Sequence, residues 1–195
     1  SYRVYLKFMS VIINYKKNSY KKNASNLILF TEEKLNIASL KKHISSLEYS
    51  FISDLIKTKD TKQKILSFDI SSKRKVFLVL VEKNLTSSGA ERLGANFYDL
   101  FKDFKQKDYN LNSDSISIKY KNFIGDFLHG LKLKSYVFEK YKTKKNNIKI
   151  SITVTGKNIP NLKDQNKYKA IEEGTFYTRD LVSEPGNILH PDEYA

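Results

Sequence analysis

The order in which apolar runs alternate with amphipathic segments constrains the fold of this chain more than any other feature. Two short runs, Val11 to Tyr15 and Leu27 to Phe30, are separated by polar residues, and two more follow at Ile65 to Ile70 and Val76 to Val81. Apolar runs of this length between polar breaks predict buried strands. The 76–81 run is nearly all apolar, as expected of a strand covered on both faces.

Two further strands are predicted later in the chain, at Ser115 to Ile118 and at Ile148 to Val154. In the second of these, isoleucine and valine alternate with polar residues, which predicts that one face of the strand is less deeply buried. The polar turn Ser71 to Lys75 joins the two central runs into a predicted strand pair.

The first predicted helix lies between the second and third strands. Its apolar residues recur at steps of three and four, so they fall on one face of a single helix. Asn36 is the predicted N-cap, and Lys41 and Lys42 fall on the opposite side. The predicted core positions are Ile37, Leu40, Ile44, Leu47, Phe51 and Leu55.

Three more helices follow. Ser88 and Glu91 form a predicted capping box at the head of the second, the third covers Phe123 to Leu131, and the last runs from Lys167 to Val182, where Pro185 stops it. The predicted inward positions are Ala90, Leu93, Phe97, Leu100 or Phe101, and Phe104 in the second; Phe123, Ile124, Phe127, Leu128 and Leu131 in the third; and Tyr168, Ile171, Thr175, Thr178 and Leu181 in the last.

Strands interleaved with helices indicate an α/β fold with a mixed sheet sandwiched between helical layers, followed by a linker helix. The 195 residues are enough for one domain and part of another. Met9 is the only methionine, so residues 1–8 are interpreted as a tag or upstream remnant. The predicted divisions are an α/β domain at 9–156, a Pro160-containing linker at 157–166, and a connecting helix that leads into a second domain at 167–195.

The formal net charge of +14 suggests nucleic acid as a partner. Only four of the 35 basic residues are arginine, the residue best suited to base and phosphate recognition, so weak non-specific contact is the most that we predict. Lysines close to an aromatic ring such as Tyr141 can bind single strands. The alternative is a solvated loop, which the spacing favours. The lysines concerned are Lys140, Lys142, Lys144, Lys145 and Lys149.

No catalytic, metal-binding or cofactor-binding residue is predicted in this chain. His43, His129 and His190 lack partners at metal-site spacing, and the seven glycines form no phosphate-binding loop. The absence of cysteine suits a reducing cytoplasm, and no apolar run approaches the length of a membrane span. We therefore expect a cytoplasmic location and no membrane partner.

Two segments resemble the cytosolic leucyl aminopeptidase family of metallopeptidases. Residues 178–195, Thr-Arg-Asp-Leu-Val-Ser-Glu-Pro-Gly-Asn-Ile-Leu-His-Pro-Asp-Glu-Tyr-Ala, are similar to the Ala-Arg-Asp-Leu-Val-Asn-x-Pro-x-Asn-x-Leu-x-Pro stretch that opens the catalytic domain of that family. Thr178 and Ser183 replace its alanine and asparagine. The second segment, Gly130-Leu131-x-Leu133-x-Ser135-Tyr136-x-Phe138-x-x-Tyr141-Lys142, resembles a motif near the end of the N-terminal domain of the family.

The resemblance implies a non-catalytic N-terminal domain with a macro-domain-like three-layer sandwich. Its role would be structure, assembly and access to the active site of a hexameric parent enzyme. That parent would release N-terminal residues from peptides with two divalent ions, zinc or manganese. The signatures that bear the metal ligands of the family are absent from these 195 residues. Two alternatives are a nucleic-acid-binding regulatory module and, because this fold is related to ADP-ribose-binding macro domains, a small-ligand pocket.

Overall fold

The computed structural model describes residues 11–16, 26–32, 36–60, 62–116, 120–136 and 149–185. Within these residues the strands are β1 (Val11–Lys16), β2 (Asn26–Glu32), β3 (Ile65–Ser71), β4 (Arg74–Val81), β5 (Asp108–Asn112) and β6 (Ile150–Thr155). They form one sheet in the order β1-β6-β5-β2-β4-β3. Neighbouring strands are parallel except for β3 and β4, which form an antiparallel hairpin at one edge. The predicted mixed sheet is confirmed.

Four α-helices accompany this sheet in the described part of the chain. They are α1 (Ser46–Ile56), α2 (Ser87–Phe101), α3 (Phe123–Lys134) and α4 (Leu162–Ser183), with 3-10 helices at Ile37–Lys42 and Ser113–Ser115. Because α2, α3 and α4 follow the parallel strands β4, β5 and β6, the three helices run in the same direction. This shared direction lets α3 pack between α2 and α4.

The sheet separates two hydrophobic cores. Side chains alternate across a strand, so neighbouring residues of β2 and β4 point into opposite cores. On one face Phe30 and Phe77 pack with α2 and α3, and on the other Leu29 and Leu78 pack with α1 and the 37–42 turn. Residues 76–81 are all buried, which confirms that β4 is covered on both faces. The result is a three-layer α/β sandwich.

The closest approach between helices occurs where α2 crosses α3. A Cβ atom at Gly94 would lie 1.8 Å from the carbonyl oxygen of Phe127, and one at Gly130 would lie 1.9 Å from the carbonyl oxygen of Glu91. The two backbones are therefore in direct contact, and only glycine leaves room for it. Gly130 opens one of the two family motifs, so this crossing gives that position a physical reason.

Three of the helix predictions were wrong in detail, and the first concerns the helix after β2. The predicted single helix from 37 to 55 is broken at Ser45, which begins a new helix through a reciprocal capping box with Glu48. The break shifts the phase, so Leu47 is 84% exposed and Phe51 44% exposed instead of facing the core. The Asn36 cap is confirmed, since its side chain accepts a hydrogen bond from the Ala38 amide.

The second helix begins two residues earlier than its predicted capping box. Thr86 is the N-cap and accepts a hydrogen bond from the Gly89 amide at 3.0 Å, so Ser88 lies within the first turn. The inward face is otherwise as predicted, with Phe101 buried and Leu100 39% exposed.

The predicted strand at 115–118 was also wrong where the structure describes it. The strand is Asp108–Asn112. Its polar composition is not typical of a strand, although Tyr109 and Leu111 are buried. Ser115 lies in a 3-10 turn, where its hydroxyl accepts from the Phe30 amide at 3.0 Å and donates to the Asn112 carbonyl at 2.7 Å. These bonds turn the chain away from the sheet.

The last helix is longer than predicted and buries different residues. Asn161 caps it by accepting a hydrogen bond from the Asp164 amide at 2.8 Å, so α4 starts at Leu162. Its buried residue is Glu172, whereas Ile171 and Thr178, both predicted to face inward, are exposed. The helix ends before Pro185, as predicted. The division of the chain into domains stays a prediction.

Candidate functional site

The lysines singled out as a possible nucleic-acid contact are mostly beyond structural description. Lys140, Lys142, Lys144 and Lys145 lie outside the described residues, and Lys149 is exposed immediately before β6. The described residues therefore do not test this group, and weak contact with nucleic acid stays a prediction.

The two histidines in the described ranges have different surroundings. His43 is half-buried, and its Nδ1 accepts a hydrogen bond from the Asn112 side-chain amide at 3.0 Å. His129 is buried in α3 and lies beside a carboxylate of α4. This second contact belongs to a continuous row of polar groups between the two helices, which we call the α3–α4 seam.

The seam begins at Asp126, a buried carboxylate in the first turn of α3. It accepts hydrogen bonds from the hydroxyls of Ser87 at 2.9 Å, Tyr168 at 2.6 Å and Tyr120. Burial, together with the bond to Asp126, raises the pKa values of Tyr120 and Tyr168. Three elements, α2, α3 and α4, therefore meet at one carboxylate through hydroxyl donors.

One turn further along, His129 Nδ1 lies 2.9 Å from Glu172 Oε1. Lys132 follows His129 by three residues on the same face of α3 and is also buried. It donates to the Val11 carbonyl of β1 at 2.8 Å. Burial lowers the pKa of Lys132, and Glu172 partly opposes this effect. Burial and the Glu172 charge raise the pKa of Tyr15 in β1 to about 12. Glu172 thus sits among groups from β1 and α3.

The far end of the seam is made by residues of the two family motifs. Tyr136 donates to Asp180 at 2.8 Å, and Arg179 donates to the Leu133 carbonyl at 2.6 Å. The Tyr136 ring stacks on Phe176 with centroids 5.5 Å apart and lies under the Arg179 guanidinium. Burial and the bond to Asp180 raise the pKa of Tyr136 to about 12. Tyr136 therefore packs against α4 just after the end of α3, and Phe138 of the same motif lies outside the described residues.

This arrangement consists of hydrogen bonds and ring contacts that join α4 to α3. Across the described ranges, no group of three or more His, Cys, Asp or Glu side chains is placed to hold a metal ion. None of the helices in those ranges is both long and apolar enough to cross a membrane. What the seam can do chemically is fix the position and direction of α4 through oriented hydrogen bonds.

Sequence reasoning missed most of this seam because the partners that join α3 to α4 lie 42 to 46 residues apart. A local signal was present. Asp126, His129 and Lys132 recur every three residues within an otherwise apolar helix. Polar residues at helical spacing on one face predict a neighbour that satisfies them.

Comparisons with known proteins find relatives that carry the name probable cytosol aminopeptidase. The chain is 32% identical over 122 residues to a probable cytosol aminopeptidase of Clostridium perfringens, covering 58% of this chain and 25% of the relative. It is 29% identical over 197 residues to a probable cytosol aminopeptidase of Rickettsia bellii, covering 89% of this chain and 38% of the relative. No protein-family model matches the chain.

Solved structures share the fold. A mutant of tomato leucine aminopeptidase matches with a TM-score of 0.69 at 16% identity, covering 95% of this chain and 40% of that one. The bottromycin maturation enzyme BotP in complex with Mn matches with a TM-score of 0.61 at 12% identity, covering 88% and 34%. The chain therefore spans well under half the length of the proteins that it matches. The chain is thus similar to members of the leucyl (cytosol) aminopeptidase family, and residues of both motifs that carry this resemblance meet in the α3–α4 seam.

Proposed function

We propose that these residues form the N-terminal, non-catalytic α/β domain of a leucyl-aminopeptidase-type metallopeptidase, and that α4 connects it to the peptidase part. In this proposal the domain comprises residues 9–156, and the linker is the short segment before Leu162. The domain braces the peptidase part, contributes to a hexameric assembly and shapes access of peptides to the active site. The names of the relatives support a cytoplasmic location.

The observation that carries this proposal is the division of α4 into two unlike sides. Its inner side is tied to the domain by Glu172, Arg179 and Asp180. Large apolar residues outside this inner side are exposed, with Val182 79% exposed. Ile171 and Val182 lie 11 residues apart, which is about three turns, so both fall on one face of α4. Exposed apolar side chains that share a face favour a surface that another protein region covers.

The chemistry of the proposed parent would come from residues beyond this chain. Two divalent ions would activate a water molecule for attack on the peptide carbonyl, and the Mn-bound structure of BotP supports metal dependence in this fold group. The metal site and the substrate preference would lie in the peptidase part. The present residues would contribute position and shape.

A chimera tests this proposal directly. The chain replaces the matching N-terminal part of the Clostridium perfringens relative, and hydrolysis of a leucyl anilide is measured with added manganese or zinc. We expect turnover from the chimera and none from the present chain alone. Ile171→Lys with Val182→Lys should lower the activity of the chimera or its assembly, whereas Asn166→Lys, also an exposed position of α4, should not.

Chelator-sensitive turnover by the present chain alone would overturn the proposal. So would a chimera that is fully active whatever charge is placed on the apolar side of α4, because that side would then have no covering partner.

A further inference from the structure

The contacts that hold α4 differ in kind from those that hold the other three helices. Neither hydrophobic core contains a residue of α4, whereas α2 and α3 each contribute several buried residues and α1 contributes Ile52. The buried residue of this 22-residue helix is a glutamate. Apart from the ring contacts of Tyr168 and Phe176, apolar burial therefore contributes little to keeping α4 in place.

The surface under α4 is equally polar. Where α4 lies on α3, the covered side chains include Asp126, His129 and Lys132, which all bind water well. Separation of the two helices would exchange protein hydrogen bonds for bonds to water. Each such exchange changes the free energy only modestly, because water replaces the lost partner. The contacts among the sheet, α1, α2 and α3 are mainly apolar, so separating them would expose apolar surface to water.

The chain just before α4 has a fixed point followed by a short joint. Gly156 has a φ of 108°, and Asp114 accepts hydrogen bonds from the backbone amides of Lys157 and Asn158 at 2.8 and 3.3 Å. Residues 159–161 lie between this anchor and the helix. A 22-residue helix is about 33 Å long and is longer than the roughly 12–15 residues below which isolated helices are marginal.

We propose that α4 is a hinged strap. It separates from α3 and β1 by turning at residues 159–161 and stays helical, while the sheet and α1 to α3 stay folded. The seam is then a latch made of hydrogen bonds. In the proposed function this latch would let the rest of the protein move relative to the domain, but the strap itself is a property of the present chain and can be tested without activity.

The chain has no cysteine, so spin labels can be placed at chosen sites. Asp54→Cys on α1 and Gly174→Cys on α4 give one labelled pair, because both positions are exposed and no atom lies within 4 Å of a Cβ at Gly174. Asp54→Cys with Asn96→Cys on α2 gives a matched pair within the folded part. Pulsed electron spin resonance then measures the distance distribution of each pair.

The seam is opened by Gly125→Ala, whose added methyl group would lie 2.7 Å from the Tyr168 ring. Overpacking of this kind costs about 1–3 kcal/mol, so the ratio of displaced to docked α4 should rise by roughly 5- to 150-fold. A second, longer distance should grow for the α1–α4 pair and not for the α1–α2 pair. Glu172→Ala should act in the same direction, and Asn166→Ala, at an exposed position of α4, should change nothing.

A single unchanged α1–α4 distance in folded Gly125→Ala and folded Glu172→Ala would overturn the strap. Broadening of both label pairs together would also overturn it, because α4 would then be part of one cooperative unit. The chimera assay is independent of these distances, so failure of the strap is distinguishable from failure of the proposed function.

Discussion

Helix α3 packs against two neighbours in opposite ways. Against α2 the backbones touch at Gly94 and Gly130, and large apolar side chains fill the space around them. Against α4 the contact is a row of hydrogen bonds centred on Asp126 and Glu172. One helix is thus held on one side by close backbone packing and on the other side by hydrogen bonds. We expect substitutions on the two sides to lower the free energy of unfolding by different amounts.

The largest expected loss in the free energy of unfolding comes from a substitution at the α2–α3 crossing. Gly130→Ala places a methyl group in contact with the backbone of Glu91, which cannot rotate away as a side chain can. We expect a loss of about 3 kcal/mol or more in the free energy of unfolding, measured by urea denaturation. Gly174→Ala is the matched control, since it lies in an open part of α4 and should stabilise the chain by up to about 1 kcal/mol. Equal effects from the two variants would remove the distinction between the interfaces.

A smaller loss in the free energy of unfolding is expected from substitutions of Tyr136, at the far end of the seam. Tyr136→Phe keeps the ring stack on Phe176 but removes the hydrogen bond to Asp180, which should cost about 1 kcal/mol. Tyr136→Ala removes both and should cost about 2 kcal/mol, at the low end for large truncations because the side chain is only half-buried. If the two variants unfold at the same urea concentration, the ring contributes nothing to this interface.

The seam should also respond to alkali. The pKa values of Tyr15 and Tyr136 are raised to about 12, against about 10 in an unfolded chain. Because the folded state favours the protonated tyrosine, its contribution is fully present below about pH 10 and is lost as the pH rises through about 12. The chain has no tryptophan, so tyrosinate absorbance can follow the titration directly. Tyr15→Phe and Tyr136→Phe should each remove a late-titrating step, and titration of every tyrosine near pH 10 would contradict the raised values.

The smallest and least specific effect concerns nucleic acid. A lysine-rich surface should bind DNA weakly and lose roughly a thousandfold in affinity between 50 and 200 mM salt if about six phosphates are contacted. Replacing Lys142, Lys144 and Lys145 by glutamine should weaken binding equally for unrelated duplexes, as measured by fluorescence anisotropy. A preference above about a hundredfold for one duplex at 200 mM salt would favour the regulatory alternative.

The sequence predicted the apolar packing of the sheet, α2 and α3 much better than the polar contacts of the α3–α4 seam. Strands with continuous apolar runs, such as β4, and helices with regular apolar spacing, such as α3, follow from local periodicity. The strand Asp108–Asn112 was hidden because neighbouring strands, and not its own polar residues, determine its conformation. The break at Ser45 was available in the sequence, since Ser45 and Glu48 have the capping-box spacing.

The seam was not predictable from local pattern because each bond joins residues distant in the chain. The motif residues Arg179 and Asp180 bond to Leu133 and Tyr136, and nothing in the spacing of these residues indicates which side chains meet. The burial of Glu172 instead of Ile171 has the same origin. Only the packing of α4 on α3 determines which side of α4 faces inward.

The most direct test of this account is the unfolding of a chain that ends at Pro160 and so lacks α4. If α4 is held by a polar seam outside both hydrophobic cores, the shortened chain should keep its sheet, measured by circular dichroism, and unfold in one cooperative urea transition. Its free energy of unfolding should fall, because the contacts of Tyr136, His129 and Asp126 with α4 are lost, but the transition should remain cooperative. A shortened chain with no cooperative transition would contradict the account, because α4 would then be an integral part of the core.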